Sequence, residues 1–340
     1  MTAEDLSFWA AAVPVAVVEA VAGARSVLVV SHENPDADTL GAALALAEVV
    51  EARGGRATTV CTDPVPELYA FLTGIQRVRT DPEPGATYDL MAVVDCGSLD
   101  RVGAIRHRHA ALFGSLPQVV IDHHLSNEGE RATDWIDPAA AATCEMIALL
   151  ASRLGVPLAT GNGALATALM AGIVMDTATF AHPNATPRTL AVAAALVQAG
   201  APLSEISRRL YRTKPDVQLR LFGRVLDRLD HADDGRVIWS TLLDADLAAT
   251  GTAPAHSEGI IDLLAQAERA EVAILFKEQG SATRISVRTK PGGVDATVLT
   301  GTFGGGGHAR AAGATVEQPL DTARDAVLAE ARRLAAAVVR

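Results

Sequence analysis

The chain has 340 residues, 49% of them apolar, and a formal net charge of −11. That length exceeds one ordinary core and points to two domains. The acidic balance excludes a protein that grips long duplex DNA or RNA by its phosphates, since such affinity takes many lysines and arginines; a small anionic ligand in a local pocket stays compatible.

The opening stretch MTAEDLSFWAAAVPVAVVEAVAGA carries acids where a signal peptide carries bases, and it predicts an amphipathic helix. Residues 25–31 (RSVLVVS) form an apolar run that ends in polar residues, the mark of a buried strand. The helical pattern TLGAALALAEVVEARGG follows and stops at Gly54 and Gly55. Next come a short strand ATTVC, a helical ELYAFL, and the strands DLMAVVDCGS and QVVIDHH. Two further helices are predicted over TCEMIALLASRLG and ALATALMAGIVMDTATF. Strands alternating with helices imply an α/β fold, a parallel sheet with helices on both faces. No window holds 18 consecutive apolar residues, so nothing reads as a membrane span. Cys61, Cys96 and Cys144 are far apart and form no CxxC pair. They predict free thiols and a cytoplasmic location rather than a disulfide frame or a zinc ribbon.

In open parallel sheets, ligands bind outside the carboxyl ends of the strands. Beyond VLVV lie His32, Asp36 and Asp38; beyond LMAVV lie Asp95, Ser98 and Arg101; beyond QVVI lie Asp122, His123 and His124. Asp176 follows the apolar MAGIVM. Any one of these taken alone is an ordinary cap or turn residue; Asp38, for instance, suits the cap of the helix starting at Thr39. Together they place four carboxylates at one edge. Each like-charged pair at ~4 Å costs roughly 4 kcal/mol at an effective dielectric of about 20, so the group needs counter-charge. Two divalent cations supply it, and mixed His and carboxylate ligands suit Mn²⁺, Fe²⁺, Co²⁺ or Zn²⁺ better than Mg²⁺. A pair of metals is the apparatus of in-line displacement at phosphorus.

The second half begins with APLSEISRRLYRTKPDVQLRLFGRVLDRLD, helical, basic and interrupted by Pro215, a connector between domains. Arg220, Arg224 and Arg228 recur every four residues and predict a solvated helix face. RVIWSTL, EVAILFKEQ and TRISVRTK predict strands, the last two joined by a Gly280-Ser281 hairpin turn. IIDLLAQAERA and DTARDAVLAEARRLAAAVV predict helices, giving a smaller α+β domain. The expected divisions are 1–198, 199–230 and 231–340. Arg284 and Arg288 alternate along one strand face, where they suit either a terminal phosphate or cross-strand pairing with Glu271 or Glu278. In GTFGGGGHARAAG, Gly305, Gly306 and Gly307 leave backbone N–H groups open to a ligand beside His308. The stretch is no P-loop, because no Gly-Lys-Ser/Thr follows.

His32-x-Asn34-Pro35-Asp36-x-Asp38, Val94-Asp95-Cys96-Gly97-Ser98, Asp122-His123-His124 and the later Asp176 occur in the order of the four motifs of the DHH-family phosphoesterases, and the chain resembles that family. Gly304 to Gly313 looks like the signature of the DHH-associated C-terminal domain. In length and arrangement the chain is most similar to the NrnA-type branch. The resemblance implies an enzyme that trims very short oligoribonucleotides and linear dinucleotides such as pApA, dephosphorylates pAp to AMP, and extends in some members to cyclic di-AMP. It implies one metal on His32, Asp36 and Asp95, a second on Asp38, Asp95, His123 and Asp176, and Mn²⁺ as the natural ion. It gives His124 the scissile phosphate and the leaving oxygen, and Asn34 and Pro35 the shaping of a turn. Asp122 is left as either a residue that orients a ligand or a strand-end residue. Ser98, Arg101, Arg284, Arg288 and the glycine loop with His308 are expected to hold the nucleotide. Two other readings stand beside it: an inorganic pyro- or polyphosphatase, and a non-catalytic nucleotide sensor. The Ala-rich helices are compatible with a homodimer and with a monomer.

Overall fold

The computed structural model describes residues 6–338 and divides the chain into two compact units, Met1–Thr213 and Lys214–Arg340. In the first unit, β1 (Ser26–Val30), β2 (Arg56–Val60), β3 (Leu90–Val94), β4 (Gln118–Asp122) and β5 (Asp134–Ile136) form one sheet in the order β2-β1-β3-β4-β5. Every pairing in it is parallel. β3 is buried along its whole length, which is why its sequence is an unbroken apolar run. Register pairs Val30 with Val93 and Val94 with Ile121, so the three polar exits leave at one edge. The chain order reverses between β1 and β3, the position at which such sheets open a ligand crevice.

Helices cover both faces. The larger core packs the Ala37–Ala52, Thr143–Arg153 and Ala164–Asp176 helices on one side; a smaller one gathers Leu28, Met91, Val93, Val102 and Ile105 on the other. The α/β architecture is as expected, with local differences. Residues 1–5 of the predicted N-terminal helix lie outside the described residues. The remainder is two helices, Leu6–Ala10 and Val15–Gly23, separated at Pro14, which has no N–H to continue the first. ELYAFL supplies only the 3-10 turn Glu67–Tyr69. The Pro187–Gln198 helix and β5 were not anticipated.

The predicted connector is shared between the units. Leu203–Ser207 runs into a π-helical turn, Arg208–Arg212, in the first unit, while Asp216–Asp227 belongs to the second. The second unit holds β6 (Asp230–Ala232), β7 (Val237–Leu242), β8 (Val272–Gln279), β9 (Ala282–Thr289), β10 (Gly306–His308) and β11 (Ala311–Val316). They form a mixed sheet in the order β10-β11-β9-β8-β7-β6, in which only β7 and β8 run parallel. The two-residue turn between β8 and β9 places Gly280 at φ 62, as the hairpin requires. Leu320–Val338 packs on one face and Asp216–Asp227 with Ile260–Leu264 on the other. Among the described residues no single helix is long and apolar enough to cross a membrane.

Candidate metal centre

The first exit follows β1. His32 is buried, and its Nδ1 lies 2.6 Å from the carbonyl of Glu33, so Nδ1 is the donor and Nε2 keeps a lone pair. Asp36, not Asp38, caps the Ala37–Ala52 helix: its Oδ1 accepts from the N–H groups of Asp38 and Thr39 at 2.9 and 3.0 Å. Its other oxygen faces His32 Nε2 at 3.8 Å. Asp38 occupies the first turn of that helix, fully buried.

Asp95 follows β3 with φ 57, a left-handed conformation uncommon outside glycine and asparagine. Its Oδ2 is 3.5 Å from His32 Nε2 and its Oδ1 is 3.5 Å from His123 Nε2. His123 Nε2 also faces Asp176 Oδ2 at 3.2 Å and Asp38 Oδ2 at 3.9 Å. Asp176 arrives as the last residue of the Ala164–Asp176 helix, which ends within the stretch predicted helical. Gly172 lets this helix close on the site: a Cβ there would stand 2.3 Å from Asp38 Oδ1. The donors fall into three overlapping groups, His32-Asp36-Asp95, Asp38-His123-Asp176 and Asp95-His123-His124, with Asp95 facing His32 in the first and His123 of the second.

His124 lies 3.7 Å from Asp95 through Nδ1, but that nitrogen is committed to Asp122 Oδ1 at 2.7 Å. Asp122 belongs to no donor group. Asn127, which sequence reasoning passed over, donates to its other oxygen at 2.8 Å. These bonds hold the Asp122 carboxyl below its usual value against the upward push of burial. His124 therefore presents Nε2, and Arg101 Nη1 sits 3.4 Å from it. Ser98 is exposed at the start of the 3-10 turn Leu99–Val102.

Charge is the unusual feature. Among the described residues no lysine or arginine lies within ion-pair distance of Asp36, Asp38, Asp95, Asp122 or Asp176; their partners are histidines. Burial, then Asp38, Asp36 and Asp176, drives the Asp95 carboxyl well above the ordinary range. Burial and Asp38 push Asp176 up to about 7, against the pull of His123. Burial works to lower His123, yet the bond to Asp176 and the charge of Asp38 carry it up to about 9. His32 is lowered, chiefly by burial. A site that makes its acids hold protons calls for positive charge, and its imidazole and carboxylate donors suit first-row divalent ions.

In the second unit, Arg284, Ser286 and Arg288 share one face of β9. Ser286 and Arg288 line a cavity of about 180 Å³ with Lys277 and Ser257. Arg288 Nε bonds Asp262 at 2.9 Å, not Glu271 or Glu278. Arg284 stands directly across from Lys277 in the β8–β9 register. Like charges placed so repel, which favours an anion between them. Lys277 escaped sequence reasoning, hidden in an apolar strand. Arg224 and Arg228 do not form a merely solvated face, because both bind the buried Asp246. The glycine stretch is not an open loop either. Gly306, Gly307 and His308 pair with Gly313, Ala312 and Ala311 in an edge hairpin. Gly305 and Gly307 are required by close approach: added Cβ atoms would stand 2.2 Å from the carbonyl oxygen of Gly313 and 2.6 Å from that of Ala311. Gly306 has open space around it, and His308 is exposed.

Residues 26–173 match the model of the DHH family, N-terminal domain, and residues 234–337 match the DHHA1 domain. A bifunctional oligoribonuclease and PAP phosphatase NrnA from Thermus thermophilus is 32% identical over 93% of this chain and 91% of its own length. The chain belongs to the DHH family. The Bacillus subtilis protein of the same name is 28% identical over 84% of this chain and 87% of that one. A solved structure of an exopolyphosphatase-related protein from Bacteroides fragilis shares the fold, with a TM-score of 0.84 and 18% identity over 96% of this chain and 98% of that one. As a DHH-family phosphoesterase of this branch, the chain is a hydrolase.

Proposed function

We propose that the chain is a two-metal phosphohydrolase that dephosphorylates pAp to AMP and cleaves pApA and very short oligoribonucleotides to mononucleotides, with cyclic di-AMP as a further substrate. The observation that carries this reading is the set of donor groups meeting at Asp95 with, among the described residues, no lysine or arginine paired to their carboxylates. The names of the relatives supply the substrate class. His32, Asp36 and Asp95 would hold one ion, and Asp38, Asp95, His123 and Asp176 the other; Mn²⁺ is the expected metal. When bound, the ions ionise the attacking water and offset charge building on the phosphoryl oxygens.

The remaining work falls to the protein. His124, once it has taken a proton from solvent at Nε2, would pass it to the leaving oxygen as the bond to phosphorus breaks, with Asp122 accepting from Nδ1 and steadying the imidazolium. Arg101, beside that nitrogen, neutralises a phosphoryl oxygen. Ser98 offers a hydroxyl on the same turn. Within the second unit, Arg284, Arg288 and Lys277 are suited to a phosphate and the Gly305–His308 edge to a base or sugar. The buried free thiols of Cys61, Cys96 and Cys144 favour a reducing, cytoplasmic setting.

The test is incubation with Mn²⁺ and pAp, pApA, a pentaribonucleotide, cyclic di-AMP or pyrophosphate, beside an Asp95→Asn variant. AMP released from pAp and pApA by the wild type alone is the expected result. Turnover of pyrophosphate and none of the nucleotides would instead establish an inorganic pyrophosphatase; turnover of nothing, with nucleotide bound, a sensor.

A further inference from the structure

The residues behind the donor groups converge on one stretch, 137–145 (DPAAAATCE), which opens the Thr143–Arg153 helix. His123 Nδ1 faces the Ala140 carbonyl at 3.4 Å. The first N–H groups of the helix, those of Thr143 and Cys144, reach Asp38 Oδ2 and Oδ1 at 2.7 and 2.9 Å. The Thr143 hydroxyl donates to Asp95 Oδ1 at 3.1 Å. Asn184 ties the stretch to the last ligand, donating to the carbonyl oxygens of Ala141 and Asp176 at 3.1 and 3.2 Å. Thr143 is fully buried. One residue thus bonds a carboxylate from each donor group.

We propose that Thr143 is a positioning residue that sets the plane of the Asp95 carboxylate, and so the affinity of the centre for divalent ions. Asp95 must show one oxygen to His32 and the other to His123. Rotation about its last torsion would spoil both alignments at once, and that torsion is soft unless hydrogen bonds fix it. The Thr143 hydroxyl fixes it from one side with a neutral donor. A lysine or arginine there would fix it too, but would supply the positive charge that a metal is needed to supply. The same logic applies to Asp38, which the helix N-terminus holds by backbone N–H groups, leaving a lone pair on each oxygen.

The inference rests on reading the cluster as a metal centre, and the test separates the two. Wild type, Thr143→Val and Thr143→Ser, each stripped with EDTA and dialysed, are titrated calorimetrically with MnCl₂ without substrate. Thr143→Val is expected to bind Mn²⁺ about 10–100-fold more weakly, with the Mn²⁺ activation curve displaced equally and the KM for nucleotide at saturating Mn²⁺ unchanged. Thr143→Ser restores the wild-type affinity. Equal affinity of wild type and Thr143→Val overturns the positioning role while leaving the metal centre standing. A Thr143→Ser variant as impaired as Thr143→Val, with far-UV ellipticity lost in both, overturns it in favour of a structural role. A wild type that takes up no Mn²⁺ removes the metal centre and this inference with it.

Discussion

Asp95 and Asp246 are both almost wholly buried carboxylates, and their surroundings are opposite. Asp246, in the second unit, accepts from Arg224, Arg228 and the Leu243 N–H. Burial pushes its carboxyl up, but those partners win, and it sits below the ordinary value. Asp95 meets, among the described residues, histidines, a hydroxyl and other acids, and is driven up. The difference separates an acid that closes a structure from one that waits for a ligand. The fold supplies counter-charge to the first and withholds it from the second, since a resident arginine would occupy the place of a cation.

Paired substitutions give the sharpest way to break this contrast. Asp95→Asn is expected to lower kcat/KM on pAp by about 10³-fold or more, since metal ions contribute several kcal/mol to the transition state. It should also raise the melting temperature of the EDTA-treated protein, because a crowded buried acid has gone. Asp246→Asn should do the reverse. Loss of its charge against Arg224 and Arg228, both partly exposed, costs about 1–3 kcal/mol of stability, with kcat unaltered at a temperature where the variant is folded. Steady-state kinetics and thermal melts on the two variants decide it; an Asp95→Asn variant that melts lower in EDTA contradicts the contrast.

Two smaller effects separate chemistry from holding. His124→Gln is expected to lower kcat by about 10²–10⁴-fold, the usual contribution of a placed proton donor, while leaving Mn²⁺ affinity near wild type, because Nδ1 is bonded to Asp122 rather than offered to a metal. Loss of Mn²⁺ binding in that variant would make His124 a ligand instead. Arg288→Ala is expected to raise the KM for pAp about 10-fold or somewhat more, the worth of one charge-assisted hydrogen bond, with kcat and metal titration unchanged. An unaltered KM would assign Arg288 to its pair with Asp262 alone.

What could be read in advance follows from range. β1, β3 and β4 were legible because a strand buried on both faces must be an apolar run, and the polar residues that end it must leave at the carboxyl edge. β5 was missed because Asp-Trp-Ile is too short to show a period. The Asp176 carboxylate and the helix that carries it were legible from the apolar stretch before it, but the approach of that helix to the site depends on Gly172 packing against Asp38. Thr143 gave no signal at all, a small neutral residue in a run of alanines whose importance lies in partners up to 105 positions away. Arg224 and Arg228 were visible as a stripe, whereas their partner Asp246 lies 22 and 18 residues on. Spacing reveals faces of an element, and tertiary packing decides what each face meets.

The smallest effect is a pH trend, and its sign follows from the crowding. In EDTA, Asp176 keeps its proton up to about 7 in the folded protein, against an ordinary value of 3.8, and His123 up to about 9 against 6.5. A raised folded value means stability fully present below the unfolded value and lost as pH climbs through the folded one. Asp176 therefore loses its share between about pH 4 and 7, and His123 between about 6.5 and 9. The Asp95 carboxyl, raised as well, adds in the same direction. His32 opposes them, because its lowered value withdraws stability at acid pH and returns it as pH rises through 6.5. Three groups against one give a melting temperature that falls from pH 5 to pH 9 in EDTA. With saturating Mn²⁺ the slope should vanish or reverse, because the ligands must shed their protons to bind and alkaline pH then favours the loaded state. Asp246, already ionised and paired, contributes nothing to either slope over this range. Thermal melts at four pH values, with EDTA and with Mn²⁺, measure both lines; a slope indifferent to the metal would mean that these carboxylates titrate as ordinary acids and that the contrast with Asp246 is one of geometry alone.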